Sequence, residues 1–454
     1  MFTVAAIATP CAASGIGVIR ISGDDALLIA DRVFSPFSPE QKLSEMKGYS
    51  AAYGRVISGG RVLDKAVALV FRAPKSYTGE NVAELSCHGS PFVLQQVLRA
   101  VLEAGAQPAP AGEFTKRAYL NGKLDLASAE AVMNVISSQG EDARSAALNA
   151  LDGALGKKAE AVRGIIVSAA ANMSAWVDYP DEEIPELDRN TLTGDFKRCE
   201  GELRALLSGF DAGQAVLGGV DTVIAGRPNA GKSTLMNLLA GRELSIVTPV
   251  AGTTRDVVEQ TVRVGNTLLK LADTAGLRAA LDEVEKIGVE RAKTRIERAG
   301  LVLAVFDSAE ELNADDFRLA EMCTGKKAVA VINKTDLPPR ADLEYIKSHF
   351  EYTAQVSASE AEGMETLESA IEALLGTKNF DTSCALLTTE RQRACCEKAA
   401  QCLSEAVEAL ESGMTLDAVN VSCDGAIAAL LELTGESVSE AVVNEVFAQF
   451  CVGK

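Results

Sequence analysis

Along residues 1–118 the apolar positions alternate between two periods. "VIRIS" (18–22) carries β-branched residues in strand-like alternation, and "YGRVISGGRVLDKAVALVF" (53–71) predicts two strands joined at Gly59–Gly60, a pair suited to a tight hairpin. "SPFVLQQVLRAVLEAG" (90–105) has apolar positions at helical spacing and ends in glycine. This stretch reads as α/β. From Leu124 to about Phe210 the chain becomes rich in Ala and Leu, with apolar residues three and four apart. That pattern predicts long helices packed through small side chains. "DYPDEEIPELD" (178–188), with two prolines among acids, interrupts them as a loop.

From Gly218 to Gly376 short apolar runs return: "DTVIAG", "TLLKLAD", "LVLAVFD", "KAVAVIN" and "YTAQVSA". Helical stretches separate most of them, so a mainly parallel sheet with crossover helices is predicted. After "GTKNFDTSCAL" (376–386) helical periodicity runs to the end. The expected fold class is therefore α/β and α, in four segments. These are an N-terminal α/β domain (1–118), the first part of a helical domain (119–215), an inserted α/β module (216–378) and the second helical part (379–454). Insertion of a whole module is tolerated when its ends lie close together.

The charged fraction of 24% and hydrophobic fraction of 47% are those of a globular protein, and 454 residues suggest about three domains. The longest apolar runs are too short to span a bilayer and the start has no basic leader, so a cytoplasmic protein without a membrane role is expected. Ten cysteines without a Cys-x-x-Cys pair, and two histidines (His88, His349), do not make a zinc pattern. Net charge is −19, and residues 403–451 carry nine acids and no Lys or Arg. Such a chain is not expected to grip RNA alone, since that needs basic groups on the phosphates; its acidic end could dock a basic partner.

Against this background "GRPNAGKST" (226–234) matches G-x-x-x-x-G-K-[ST] between a predicted strand and a helix. Main-chain N–H groups of such a loop cradle phosphates, Lys232 reaches the β/γ-phosphates, and the Ser233 hydroxyl takes Mg²⁺. "NKTD" (333–336) supplies the Asp336 carboxylate, which accepts from guanine N1–H and the exocyclic amine; adenine offers no such pair. "SAS" (357–359) suits the loop behind the base. Between them lie "AGTTRD" (251–256), with Thr254 as the second Mg²⁺ hydroxyl, and "DTAG" (273–276), with Asp273 beside the metal and Gly276 N–H near the γ-phosphate. The order is that of a P-loop, Ras-like GTPase. Its candidate GTP contacts are Asn229, Ala230, Gly231, Lys232, Ser233, Thr234, Thr248, Pro249, Val250, Ala251, Gly252, Thr253, Thr254, Asp273, Thr274, Ala275, Gly276, Asn333, Lys334, Asp336, Ser357, Ala358 and Ser359.

Leu277 follows "DTAG" where Ras-like GTPases carry the glutamine that orients water. A carboxylate among Asp282, Glu283 and Glu285 could replace it, and spacing alone does not choose. The charge of the transition state also needs a cation: an arginine finger from another molecule, or a monovalent ion held by Asn229 and the carbonyls of "TPVAGTT".

Taken with "SGIGVIRISG", "SYTGENVAELSCHGSP", "AGEFTKRAYLNGKLDLASAEAV", "DTAGLR", "DEVEKIGVERA" and the terminal "CVGK", these motifs resemble the bacterial tRNA-modification GTPases of the MnmE (TrmE) family over nearly the whole chain. The resemblance implies a homodimer whose GTPase modules meet in a K⁺-dependent way. It selects Glu285 as the acid that orients water, and the Asn229 side chain with the carbonyls of Thr248, Val250 and Thr253 as K⁺ ligands. Pro249 stands where an acid is common, and Val452 where isoleucine is commoner; neither removes a ligand carbonyl.

The resemblance further implies a folate-binding N-terminal domain. Arg20, Glu84 and Lys123, with Lys454 from the tail, would hold 5-formyltetrahydrofolate or 5,10-methylenetetrahydrofolate, and Cys451 would take part in the modification chemistry. The implied reaction installs a carboxymethylaminomethyl-type group at C5 of the wobble uridine of certain tRNAs. An FAD- and NADH-using partner of the MnmG (GidA) type would join in a heterotetramer or larger assembly. A switch GTPase of ribosome assembly explains the nucleotide motifs but leaves Arg20, Glu84, Lys123 and the tail without a purpose.

Overall fold

A computed structural model describes residues 2–38, 40–178, 188–241, 260–271, 294–378 and 380–454. The strands are β1 (Val4–Ile7), β2 (Ser14–Ser22), β3 (Phe34–Pro36), β4 (Ser50–Ser58), β5 (Arg61–Phe71), β6 (Val82–Gly89), β7 (Gln107–Pro108), β8 (Val220–Ala225), β9 (Gln260–Val264), β10 (Thr267–Leu271), β11 (Leu301–Asp307), β12 (Ala328–Asn333) and β13 (Tyr352–Gln355). The first nine helices are α1 (Ala26–Val33), α2 (Pro91–Glu103), α3 (Glu113–Leu120), α4 (Leu126–Ser137), α5 (Glu141–Leu151), α6 (Ala154–Asp178), α7 (Arg189–Ser208), α8 (Phe210–Leu217) and α9 (Lys232–Gly241). They are followed by α10 (Ala314–Cys323), α11 (Leu343–His349), α12 (Met364–Leu375), α13 (Glu390–Glu411), α14 (Leu416–Thr434) and α15 (Glu440–Ala448). Among the described residues no helix is long and apolar enough to cross a membrane.

Two compact units emerge. One comprises residues 1–133, 155–197 and 398–454; the other comprises 134–154 and 198–397.

In the first unit a seven-stranded sheet runs β3-β4-β5-β6-β2-β1-β7. Gly59 and Gly60 close the β4–β5 hairpin with φ of 54° and 76°, the two positive angles that a two-residue turn asks for. The inner face of the sheet packs Ile19, Ile21, Val56 and Leu85 against Leu27, Leu94 and Val97 of α1 and α2. Full burial of each such side chain contributes about 1.5–3 kcal/mol relative to exposure.

In the second unit a six-stranded sheet runs β13-β12-β11-β8-β10-β9, parallel except for the β9–β10 pair. β11 shows why "LVLAVFD" is apolar without a break. Leu301, Leu303 and Val305 enter the core on one face, and Val302, Ala304 and Phe306 enter the core on the other. β9, whose "QTVRV" lacks an unbroken apolar run like that of β11, is an addition to the strands expected above and pairs with β10 through a turn at Gly265 (φ 57°).

The Ala/Leu-rich stretch is helical, but Gly140 (φ 113°) and Gly153 (φ 80°) divide it into α4, α5 and the 25-residue α6. The loop expected over 178–188 lies almost entirely outside the described residues.

Candidate functional site

The parallel strands β8, β11, β12 and β13 deliver their carboxyl ends side by side, where open α/β sheets bind ligands. β8 runs into the phosphate loop and α9 begins at Lys232. Gly226 (φ 159°) is extended; an added Cβ there would stand 2.5 Å from the Val305 carbonyl. At Gly231 (φ 93°) an added Cβ would lie 2.0 Å from Asn333 Nδ2, so no side chain fits. Asn229 takes the left-handed conformation (φ 62°) and is exposed. Lys232 Nζ donates to the carbonyls of Gly226 and Arg227, each at 2.7 Å, so its ammonium closes the loop. Burial lowers its pKa below the usual lysine value. Ser233 and Thr234 are exposed at the start of α9.

Asn333, 2% exposed at the end of β12, links two loops: Nδ2 donates to the Ala230 carbonyl at 2.9 Å, and Oδ1 accepts from the Ala358 N–H at 3.0 Å. Lys334 (φ 65°) places Nζ 2.6 Å from Asp307 Oδ2 at the end of β11. Asp336 Oδ1 accepts from the Ser357 hydroxyl at 2.6 Å, and Ser357 and Ser359 hydroxyls are 3.1 Å apart. With one oxygen steadied by Ser357, the exposed Asp336 carboxylate keeps lone pairs to accept two donors from a base.

A second polar site lies in the first unit. Register pairs Arg20 of β2 with Glu84 of β6, and Arg20 Nε donates to Glu84 Oε1 at 2.7 Å; each side chain is 18% exposed. The guanidinium lies 5.6 Å from the Tyr77 ring centroid and 5.4 Å from that of Phe114, within cation–π range. Tyr77 OH and Thr115 Oγ1 share a 2.9 Å hydrogen bond, and burial raises the phenol pKa against the opposing effects of Thr115 and Arg20. Arg20 Nη1 also donates to the Gly453 carbonyl at 3.4 Å, which brings the chain's last residues to the pair. Cys451 is exposed. Lys123 Nζ donates to the Pro74 carbonyl at 3.2 Å, on the loop that carries Tyr77.

A family model described as the MnmE helical domain matches residues 126–451, and one described as the GTP-binding protein TrmE N-terminus matches residues 3–123. The tRNA modification GTPase MnmE of Symbiobacterium thermophilum is 40% identical over 456 residues, covering 100% of this chain and 99% of its own. The chain belongs to the MnmE family. Its MnmE relatives include those of Geobacillus kaustophilus, 39% identical with 100% and 99% of the two chains covered, and Lactobacillus delbrueckii subsp. bulgaricus, 38% identical with 100% and 98% covered.

Within this MnmE-family chain, Asn229–Thr234, Asn333, Lys334, Asp336 and Ser357–Ser359 gather at the ends of β8, β12 and β13. Thr248–Thr254, Asp273–Gly276, Leu277, Asp282, Glu283 and Glu285 lie outside the described residues. Asp307 was not singled out from sequence; its signal is an acid closing the apolar run "LVLAVFD". Tyr77 and Phe114 also escaped, because neither neighbours Arg20 in sequence. The acidic C-terminal segment is partly engaged internally. Glu411 pairs with Lys197 at 2.6 Å and Glu436 with Arg163 at 2.7 Å.

Proposed function

We propose that this MnmE-family GTPase is K⁺-activated and works with an FAD-dependent, NADH-using partner to install a carboxymethylaminomethyl-type group at C5 of the wobble uridine of certain tRNAs. The carbon comes from a one-carbon tetrahydrofolate, and GTP turnover drives conformational change. In this reading Asp336 reads guanine, Lys232 meets the β/γ-phosphates, and Ser233 with Thr254 holds Mg²⁺. Asn229 and the carbonyls of Thr248, Val250 and Thr253 hold K⁺, which supplies the charge that an arginine finger supplies elsewhere. Glu285 orients the attacking water in place of the glutamine that Leu277 excludes. The exposed Ser233 hydroxyl and the left-handed, exposed Asn229 suit these parts.

Glu84 accepts the N–H and amine that a pterin presents side by side, with Arg20, Lys123 and Lys454 around the ligand and Cys451 in the chemistry. The protein acts in the cytoplasm as a homodimer, joined to its partner in a heterotetramer or larger assembly that brings the basic surface for tRNA. The four segments 1–118, 119–215, 216–378 and 379–454 are its folate, helical, GTPase and second helical parts.

The observation that carries this reading over a bare switch is the Arg20–Glu84 pair with the Gly453 carbonyl upon it. Nucleotide binding at residues 226–234 and 333–336 does not call on this pair. The test is nucleoside mass spectrometry of tRNA from cells lacking the gene. Loss of the modified wobble uridines is expected, and normal wobble uridines would favour a switch in ribosome assembly.

A further inference from the structure

Residues 451–454 are seated by main chain, not by side-chain burial. Cys451 is exposed and Val452 is 61% exposed. Val452 instead forms an antiparallel bridge with Ala111. Around it, Gly112 N–H donates to the Cys451 carbonyl at 3.4 Å and Phe114 N–H donates to the Lys454 main-chain oxygen at 3.1 Å. The Phe114 N–H belongs to the first turn of α3, where helix donors lack internal partners, so the tail satisfies one of them.

Two glycines make this approach possible. Gly112 (φ 67°) would, with a Cβ, meet the Phe447 carbonyl at 2.6 Å, and the Cβ atoms of Phe447 and Phe450 at 3.0 Å. Gly453 (φ 97°) would meet the Ile7 carbonyl at 2.5 Å and Ala8 Cα at 2.8 Å. Those neighbours of Gly453 are backbone and cannot swing aside, and the φ itself disfavours any L side chain. Gly453 is also the residue whose carbonyl meets Arg20 Nη1, while Arg20 Nε holds Glu84.

We propose that Gly453 is a positioning residue. Its close seat on Ile7–Ala8 and its carbonyl on Arg20 fix where Cys451, two residues earlier, stands relative to Glu84. This rests on the reading of Arg20, Glu84 and Cys451 as one modification site. Substitution at Gly453 is expected to move the tail beyond Phe447 and Phe450, which are themselves buried.

The test uses the full-length chain with its partner, comparing wild type, Gly453→Ala and Val452→Ala. The readouts are GTP turnover, affinity for 5-formyltetrahydrofolate by calorimetry, kcat and KM for uridine modification by mass spectrometry, and amide hydrogen exchange. For Gly453→Ala, kcat for modification falls at least about tenfold, as misplacement of a reacting group does. KM and GTP turnover stay within about twofold to threefold, folate affinity falls by a smaller factor than kcat because Lys454 moves with the tail, and Val452→Ala behaves as wild type, since its side chain faces solvent. Hydrogen exchange at the Gly112 and Phe114 amides speeds up in Gly453→Ala alone. Modification by Gly453→Ala within about twofold of wild type overturns the proposal. So does a loss of folate affinity in step with the lost turnover, since the glycine would then shape the ligand pocket. Failure of the underlying reading looks different: wild type itself would take up no 5-formyltetrahydrofolate, and both would fall together.

Discussion

Asn333 Nδ2 donates to the Ala230 carbonyl at 2.9 Å, tying the end of β12, three residues before Asp336, to the loop between β8 and α9. The same amide accepts from Ala358 N–H at 3.0 Å, so three loops share one buried side chain. Asn333→Ala leaves a buried carbonyl and a buried N–H unpaired, at a cost of about 1–3 kcal/mol for each group left unsatisfied. Denaturant unfolding of the full chain should show the loss, and GTP and GDP affinity should fall together, since the residue shapes the site without choosing between nucleotides.

Asp336 should set the base. Replacing its carboxylate by an amide, Asp336→Asn, removes an acceptor that guanine needs and adds a donor that suits the extra carbonyl of xanthine. Competition binding should show GTP weakened at least about tenfold while XTP gains. Unchanged preference for GTP would place base recognition elsewhere.

Glu84→Gln keeps the shape of the Arg20 partner and removes the charge that accepts a pterin's donor pair. A hydrogen bond to a charged group contributes about 1.5–3 kcal/mol, so 5-formyltetrahydrofolate affinity should fall roughly tenfold or more while GTP turnover is retained. Equal loss of both activities would contradict two separate sites.

Thiol reactivity follows burial. Cys87, Cys323, Cys396 and Cys423 have pKa values pushed up to about 12, with desolvation the largest cause in each. Only the thiolate attacks an alkylating agent, and raising the pKa shrinks its fraction at any pH below that value. Exposed Cys384 is also raised, chiefly by its hydrogen bond to Asp381. Iodoacetamide at pH 8 should label Cys11 and Cys451 first, Cys384 more slowly and the four buried thiols only after unfolding. Peptide mass spectrometry over time reads the order.

The segments that were legible in sequence are those where local pattern carries the physics. "LVLAVFD" reads as a strand because both its faces are buried, and Gly59–Gly60 reads as a turn because both φ angles are positive. "GRPNAGKST" and "NKTD" are recognisable because their chemistry depends on spacing within nine residues or fewer. What stayed hidden is contact across the chain. Asn333 reaches Ala230 over 103 positions, and Arg20 reaches Gly453 over 433. Arg117 is another case. It is 3% exposed and ion-paired with Glu80 at 2.9 Å and Glu113 at 2.8 Å, yet in "TKRAYL" it looks like an ordinary helix-surface charge.

With Leu277 where a glutamine would orient water, we propose that hydrolysis relies on a captured cation and the Glu285 carboxylate. The most direct measurement is GTP turnover by wild type and Glu285→Ala in K⁺ and in Na⁺ at equal ionic strength. Turnover by wild type should be at least about tenfold faster in K⁺ than in Na⁺, and Glu285→Ala should be slow in both. Equal wild-type rates in the two salts, with Glu285→Ala as fast as wild type, would contradict it.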